Sequence, residues 1–329
     1  MKNNIPKFFI FFFCIVIIST IVIVFSGFEN EQKNDDDKIF RYKFQKNYAI
    51  YSIDIPDTIY FAGVRIPVEF EDVYESLDKE ILINTYWQSS TLLFIKRANK
   101  YFPIIEPILK KHDIPDDFKY ISLIESGLTN VKSPAGATGY WQFMKQTALE
   151  FGLEVNSEVD ERYDIEKSTE AACLYFKRAY EKYHDWILVA ASYNVGMGAL
   201  DKQLERQKAD SYFNLVLNSE TARYVYRMVA VKLILSDPQK FGFHCRKKDM
   251  YYFPEYDTVH VDTSISNLAD FAAYYNISYK ELKFLNPWLI DITLSNNQGK
   301  KYIIKIPKTR LRNISEKIQQ NHGDTLLNE

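Results

Sequence analysis

Glu125 is the residue of this chain whose type and position best suit acid and base chemistry. Phe118, Ile121, Ser122 and Glu125 stand at i, i+3, i+4 and i+7, so on a helix Glu125 extends a face that begins apolar. Gly127 is placed to stop that helix, which puts Glu125 in the last turn, beside the negative end of the helix dipole. Loss of water and a nearby negative pole both oppose ionisation, and a carboxyl with a raised pKa suits a general acid near neutral pH. An isolated glutamate at a helix end can equally point into water, so the surroundings must carry the argument. Other chemistries find little support. The histidines (His112, His184, His244, His260, His322) show no HxxxH or HxH spacing, and Cys14, Cys173 and Cys245 are too few for a zinc site or a disulfide framework. Cys173 and Cys245 are open to pairing or to remaining two free thiols. There is no nucleophile elbow and no Cys–His pair, and no cofactor is expected.

Three further stretches follow Glu125: KSPAGATG (Lys132 to Gly139), YWQFM (Tyr140 to Met144) and SYNVGMG (Ser192 to Gly198). IES, then SPAGATGYWQFM, then SYN resemble, in that order, the lytic transglycosylase family, whose catalytic domain has a lysozyme-like fold. The likeness covers roughly residues 72–235. It implies a substrate, the glycan strands of peptidoglycan, and a role for each matching residue. Glu125 would be the catalytic acid and base, with Ser126 and Ser133 supporting the site by hydrogen bonds. Gln142 and Met144 would line the substrate, Tyr193 and Asn194 would face the glutamate, and Tyr224, in ARYVYRM, is a further candidate near the cleft. Read from the residues alone, a loop with Gly136 and Gly139 lets backbone approach a ligand, and Trp141 and Gln142 offer a stacking face and an amide suited to N-acetyl sugars. Each has a plainer alternative: a turn, a core indole, and a tyrosine closing the apolar run WILVAASYN.

Most glycosidases use two carboxylates, and Asp160, Glu161 and Asp164 are available partners for Glu125. The resemblance implies that none is needed. Glu125 would protonate the oxygen between N-acetylmuramic acid and N-acetylglucosamine, the acetamido group would assist, and Glu125 would then take the C6 hydroxyl proton as a 1,6-anhydro ring closes. Two alternatives remain: a hydrolytic goose-type lysozyme on the same scaffold, and a wall-binding protein without catalysis.

The elements that must position these groups are mainly helical. Helical patterns run over 72–87, 90–101, 104–111, 116–126, 147–152, 165–183, 186–194, 199–206 and 221–235, after a short strand or hairpin in 58–68. Past Asp237-Pro238 the order becomes β, α, α, β: strand patterns over 256–261 and 301–306 enclose helical ones over 265–275 and 279–285. This unit, with Leu285-Asn286-Pro287 inside it, resembles a degenerate LysM module. It is small for independent stability and is expected to lean on the helical part. The expected fold is a lysozyme-like all-α catalytic domain with a small βααβ C-terminal module. The expected boundaries are 1–28 for an N-terminal membrane anchor or signal, 29–70 for a polar tether and short strands, 71–245 for the catalytic domain, 246–310 for the module and 311–329 for a polar tail.

The 329 residues allow two domains, and a net charge of −2 gives no reason to expect nucleic acid as a partner. Phe8 to Phe28 is an uncharged apolar run of 21 residues. As a helix it reaches roughly 31 Å, about one bilayer core. Its length favours an uncleaved anchor over a signal peptide, although Ser26 and Gly27 leave cleavage open. Lys2 and Lys7 precede it and Glu29, Glu31 and Asp35 to Asp37 follow, which places the remaining chain outside the cytoplasm, on the periplasmic side of the envelope.

Overall fold

A computed structural model describes residues 38, 39, 41–43 and 51–311. The candidate span 8–28, most of the tether and the tail from 312 lie outside them. Among the described residues no helix is long and apolar enough to cross a membrane.

The hairpin comes first: β1 (Ile59–Phe61) pairs antiparallel with β2 (Val64–Ile66), and Ile59, Phe61 and Ile66 point into the core. Eight α-helices follow: α1 (Glu71–Tyr86), α2 (Gln88–Lys111), α3 (Lys119–Ser126), α4 (Lys145–Glu150), α5 (Ile165–Tyr183), α6 (Trp186–Val195), α7 (Met197–Gln207) and α8 (Ser219–Ser236).

Helix α2 runs unbroken through Pro103 and Pro107, where the sequence suggests two helices with a break. Each internal proline costs about 3 kcal/mol. However, both prolines are exposed, so the carbonyls they leave unpaired face water, while Thr91, Ile95, Ala98, Phe102, Ile105 and Leu109 form a continuous buried stripe. Burying a large apolar side chain contributes about 1.5–3 kcal/mol, and several on one stripe outweigh the two breaks.

The core lies around α6. Residues Ile187 to Ser192 are buried on every side, as expected of a helix without a polar face. The side chain of Asp185 caps its start by accepting from the N–H groups of Ile187 and Leu188. Phe118, Phe176, Trp141 and Trp186 pack edge-on around it. Cys173 is buried in this core and Cys245 lies outside it; both are free thiols.

The C-terminal module is β3 (Tyr256–Val261), α9 (Leu268–Tyr274), α10 (Tyr279–Leu285) and β4 (Tyr302–Pro307), with β3 and β4 antiparallel in the register Tyr256–Pro307 to Val261–Tyr302. Asn286 is fully buried and pins α10 to β4: its amide donates to the carbonyl of Lys305 at 2.7 Å and accepts the N–H of Lys305 at 2.8 Å. The module does lean on the helical part. Val159, from the loop before α5, sits inside the module's apolar cluster. The N–H of Asp160 bonds to Trp288 and that of Ile290 to Glu158, each at 2.8 Å.

Candidate active site

The short helix α3 ends as its sequence suggests: Gly127 adopts a left-handed conformation (φ 60°) and its N–H closes on the carbonyl of Leu123 at 2.8 Å. Residues Tyr120 to Ile124 are buried, which fixes α3 against its neighbours and leaves Glu125 half-buried at the wall of the core. The hydroxyl of Ser126 donates to the carbonyls of Ser122 at 3.0 Å and Tyr140 at 2.7 Å, fastening the end of α3 to the turn that carries Trp141 and Gln142.

Tyr224, buried on α8, donates to Oε1 of Glu125 at 2.6 Å. Burial pushes the Glu125 carboxyl above its ordinary pKa; the Tyr224 hydrogen bond and the charge of Arg227 pull it back, and the charge of Glu220 adds to the rise. The same burial, with Glu125 beside them, drives the phenols of Tyr193 and Tyr224 well above their ordinary range, so both stay protonated donors. Tyr193 gives its proton to the carbonyl of Trp141 at 2.8 Å. Asn194 is held by α8, accepting from Thr221 at 2.7 Å and donating to Glu220 at 3.4 Å.

Glu125, Tyr193 and Tyr224 thus converge, with Asn194 beside the first turn of α8. The loop residues do other work. Ser133 accepts the N–H of Ala137 within its own turn at 3.0 Å. Gln142, at a positive φ of 51°, donates to the carbonyls of Gly139 at 2.8 Å and Val131 at 3.1 Å. Met144 is 46% exposed at the start of α4, available to a ligand. Trp141 is core, not a stacking platform: it is fully buried and its indole N–H donates to Thr169 at 2.9 Å.

The acids weighed as partners are committed elsewhere. Asp160 holds the buried Arg162 in a two-point pair (2.9 and 2.7 Å), and Arg162 in turn holds the carbonyls of Phe143 at 3.1 Å and Gly136 at 3.3 Å. Glu161 accepts from the N–H of Glu154 and pairs with Lys167. Asp164 caps α5, and burial raises its pKa. Sequence reasoning missed Glu220 and Arg227. Both were findable from Tyr224: on a helix, positions four before and three after it share its face. Arg227 also donates to the carbonyl of Ile124 at 3.1 Å, offsetting the negative end of α3.

The acid with a raised pKa and its fixed phenol donor are thus tied through Ser126 to the loop that carries Gly136 and Gly139. Residues 102–216 match the family model described as the transglycosylase SLT domain, and residues 257–310 match the soluble lytic transglycosylase C-terminal LysM-like domain. The chain carries both domains. It is 28% identical over 256 residues to membrane-bound lytic murein transglycosylase D of Escherichia coli strain K12, and to the protein of that name in Escherichia coli O6:H1. Each alignment covers 76% of this chain and 55% of the relative, so the chain spans about half the length of the curated relatives it matches. Among solved structures, the 70-kDa soluble lytic transglycosylase of Escherichia coli aligns at a TM-score of 0.37 and 24% identity, over 42% of this chain and 24% of that one. Its complex with bulgecin A aligns at a TM-score of 0.35 and 24% identity, over 40% and 23%.

Proposed function

We propose that this chain is a lytic transglycosylase that cleaves the β-1,4 bond between N-acetylmuramic acid and N-acetylglucosamine in peptidoglycan without water, leaving 1,6-anhydro ends. The observation that carries the reading is the Glu125–Tyr224 pair. A carboxyl whose pKa burial raises is a better proton donor to the glycosidic oxygen near neutral pH, and the phenol then stabilises the carboxylate that forms. That carboxylate is the base that takes the C6 hydroxyl proton, so one residue serves both steps. In this reading Tyr193 and Asn194 face the glutamate, and Gln142 and Met144 line the substrate. The curated relatives are named membrane-bound murein enzymes, and the apolar run 8–28 fits an anchor that keeps this domain on the outer side of the cytoplasmic membrane.

The test is mass spectrometry of fragments released from purified peptidoglycan by the detergent-solubilised chain. Products lighter by one water than reducing-end muropeptides are expected; reducing ends would overturn the reading. A hydrolytic lysozyme has one specific observation in its favour, the charge of Glu220 acting on Glu125. Glu220→Gln separates the two: a transglycosylase keeps its activity within about threefold, whereas a hydrolase relying on Glu220 to activate water loses about a hundredfold or more.

Tyr224→Phe removes a donor to the ionised carboxylate. Since that hydrogen bond lowers the Glu125 pKa, its loss raises the pKa further and moves the alkaline limb of the pH–rate profile to higher pH. Turnover is expected to fall about tenfold, in keeping with about 1.5–3 kcal/mol for a hydrogen bond to a charge. A profile that shifts to lower pH, or stays put, would contradict this role.

A further inference from the structure

Between the helical part and the βααβ module lies a cleft of about 310 Å³, walled by α2, the turn after α3, Tyr251 and the end of α10. Three cations line it, Arg97 and Lys100 from α2 and Lys283 from α10, and no carboxylate does. Arg97 donates to the carbonyl of Gly127 at 3.1 Å. The ammonium of Lys100 lies 4.8, 5.4 and 4.6 Å from the ring centres of Tyr101, Phe253 and Phe284. Lys283 donates to the backbone carbonyl of Asp291 at 3.4 Å and lies 5.7 Å from the ring centre of Tyr279; burial pulls its pKa down and the charge of Asp291 partly restores it. Among the described residues none of the three forms an ion pair. Gathering three cations in a lining without a carboxylate costs free energy that a bound anion would offset.

The cleft also adjoins the catalytic end of α3. Leu128, Thr129 and Asn130 line it, and Arg97 holds the carbonyl two residues beyond Glu125. Where a peptide is attached, the lactyl carboxyl of muramic acid is an amide and the glycan itself is uncharged, so these cations have no work on the sugars. The peptide that muramic acid carries does end in carboxylates. We propose that this cleft binds the carboxylates of the peptide stem while the glycan lies at Glu125, with Lys100 and Lys283 as specificity residues. The assignment rests on the reading of the chain as a peptidoglycan-cleaving enzyme, and it makes the junction of the two domains part of the substrate site.

The experiment uses the full chain carrying Glu125→Gln, so that binding is measured without turnover. Calorimetry compares a disaccharide-peptide from peptidoglycan with the same disaccharide whose lactyl carboxyl is capped as a methylamide in place of the peptide. The peptide-bearing ligand is expected to bind about tenfold more tightly, as for two partly desolvated ion pairs. Adding Lys100→Gln and Lys283→Gln should abolish that preference without changing affinity for the capped disaccharide, and Lys283→Arg, which keeps the charge, should preserve it. No preference in the parent, or a preference that survives both neutral substitutions, overturns the proposal. An intact preference in a chain whose unsubstituted form cleaves nothing would instead sink the enzymatic reading and leave the cleft's role standing.

Discussion

Glu125→Gln is expected to lower turnover on peptidoglycan by about a thousandfold or more while leaving the protein folded and, near neutral pH, more stable. The first part follows from chemistry: an amide can neither give a proton to the glycosidic oxygen nor take one from the C6 hydroxyl, and each transfer contributes about a hundredfold or more. The second follows from linkage. Burial raises the pKa of Glu125 in the folded state. A group raised on folding adds stability that is fully present below its unfolded pKa and lost as pH rises through the folded pKa. Near neutral pH the native protein therefore bears the cost of burying a carboxyl whose ionisation burial opposes. Glutamine has no charge to desolvate, and its carbonyl still accepts the Tyr224 hydroxyl. Melting temperatures of the two proteins across pH 3–8 check this: the gap should open as pH rises and close in acid. A variant less stable at neutral pH would mean that Glu125 is held mainly as an anion, the opposite of what a general acid needs.

Gly139→Ala is expected to destabilise the protein by about 3 kcal/mol or more and to remove activity with it. Gly139 has a φ of 81°, and a Cβ there would overlap the carbonyl of Arg162, lying 2.6 Å from its carbon. That carbonyl cannot yield, because Arg162 is buried, paired with Asp160, and bound to the carbonyls of Phe143 and Gly136. The loop would have to lift off, and with it the turn whose carbonyl holds Ser126 at the end of α3. Gly136→Ala is the matched comparison. Its φ of 91° is equally unfavourable, yet nothing lies within 4 Å of the added carbon. It should cost only the backbone strain, about 1–2 kcal/mol. Urea denaturation of both variants separates the two effects; equal losses would show that the close approach to Arg162 is unimportant.

The difference between these two glycines marks how far the sequence can be read. Both stand in one loop and both look like turn residues, and only the packing of a residue 23 positions beyond Gly139 distinguishes them. The acid partners show the same limit. Asp160, Glu161 and Asp164 were the acids in view along the chain, yet each is spent on a buried arginine, a lysine or a helix cap. Glu220, whose charge acts on Glu125, lies 95 positions away. Trp141 could be read as a platform or as core, and the hydroxyl of Thr169 decides for core by satisfying the indole N–H.

Local signals were legible because they need no partner. The period of apolar residues and the stop at Gly127 put Glu125 in the last turn of a short helix. The strand patterns over residues 256–261 and 301–306, with two helices between, set out the order of the C-terminal module. Which distant groups meet was not legible from the residues themselves, and only the resemblance suggested Tyr193, Asn194 and Tyr224 as neighbours of Glu125. Helix α2 survives two prolines only because its far face is buried. The Glu125–Tyr224 bond joins residues 99 positions apart. Val159 completes the core of a module that begins about a hundred positions later. Periodicity and caps are properties of a few consecutive residues and are written in their order, whereas desolvation, charge pairing and close packing depend on which surfaces meet, and only the folded chain decides that.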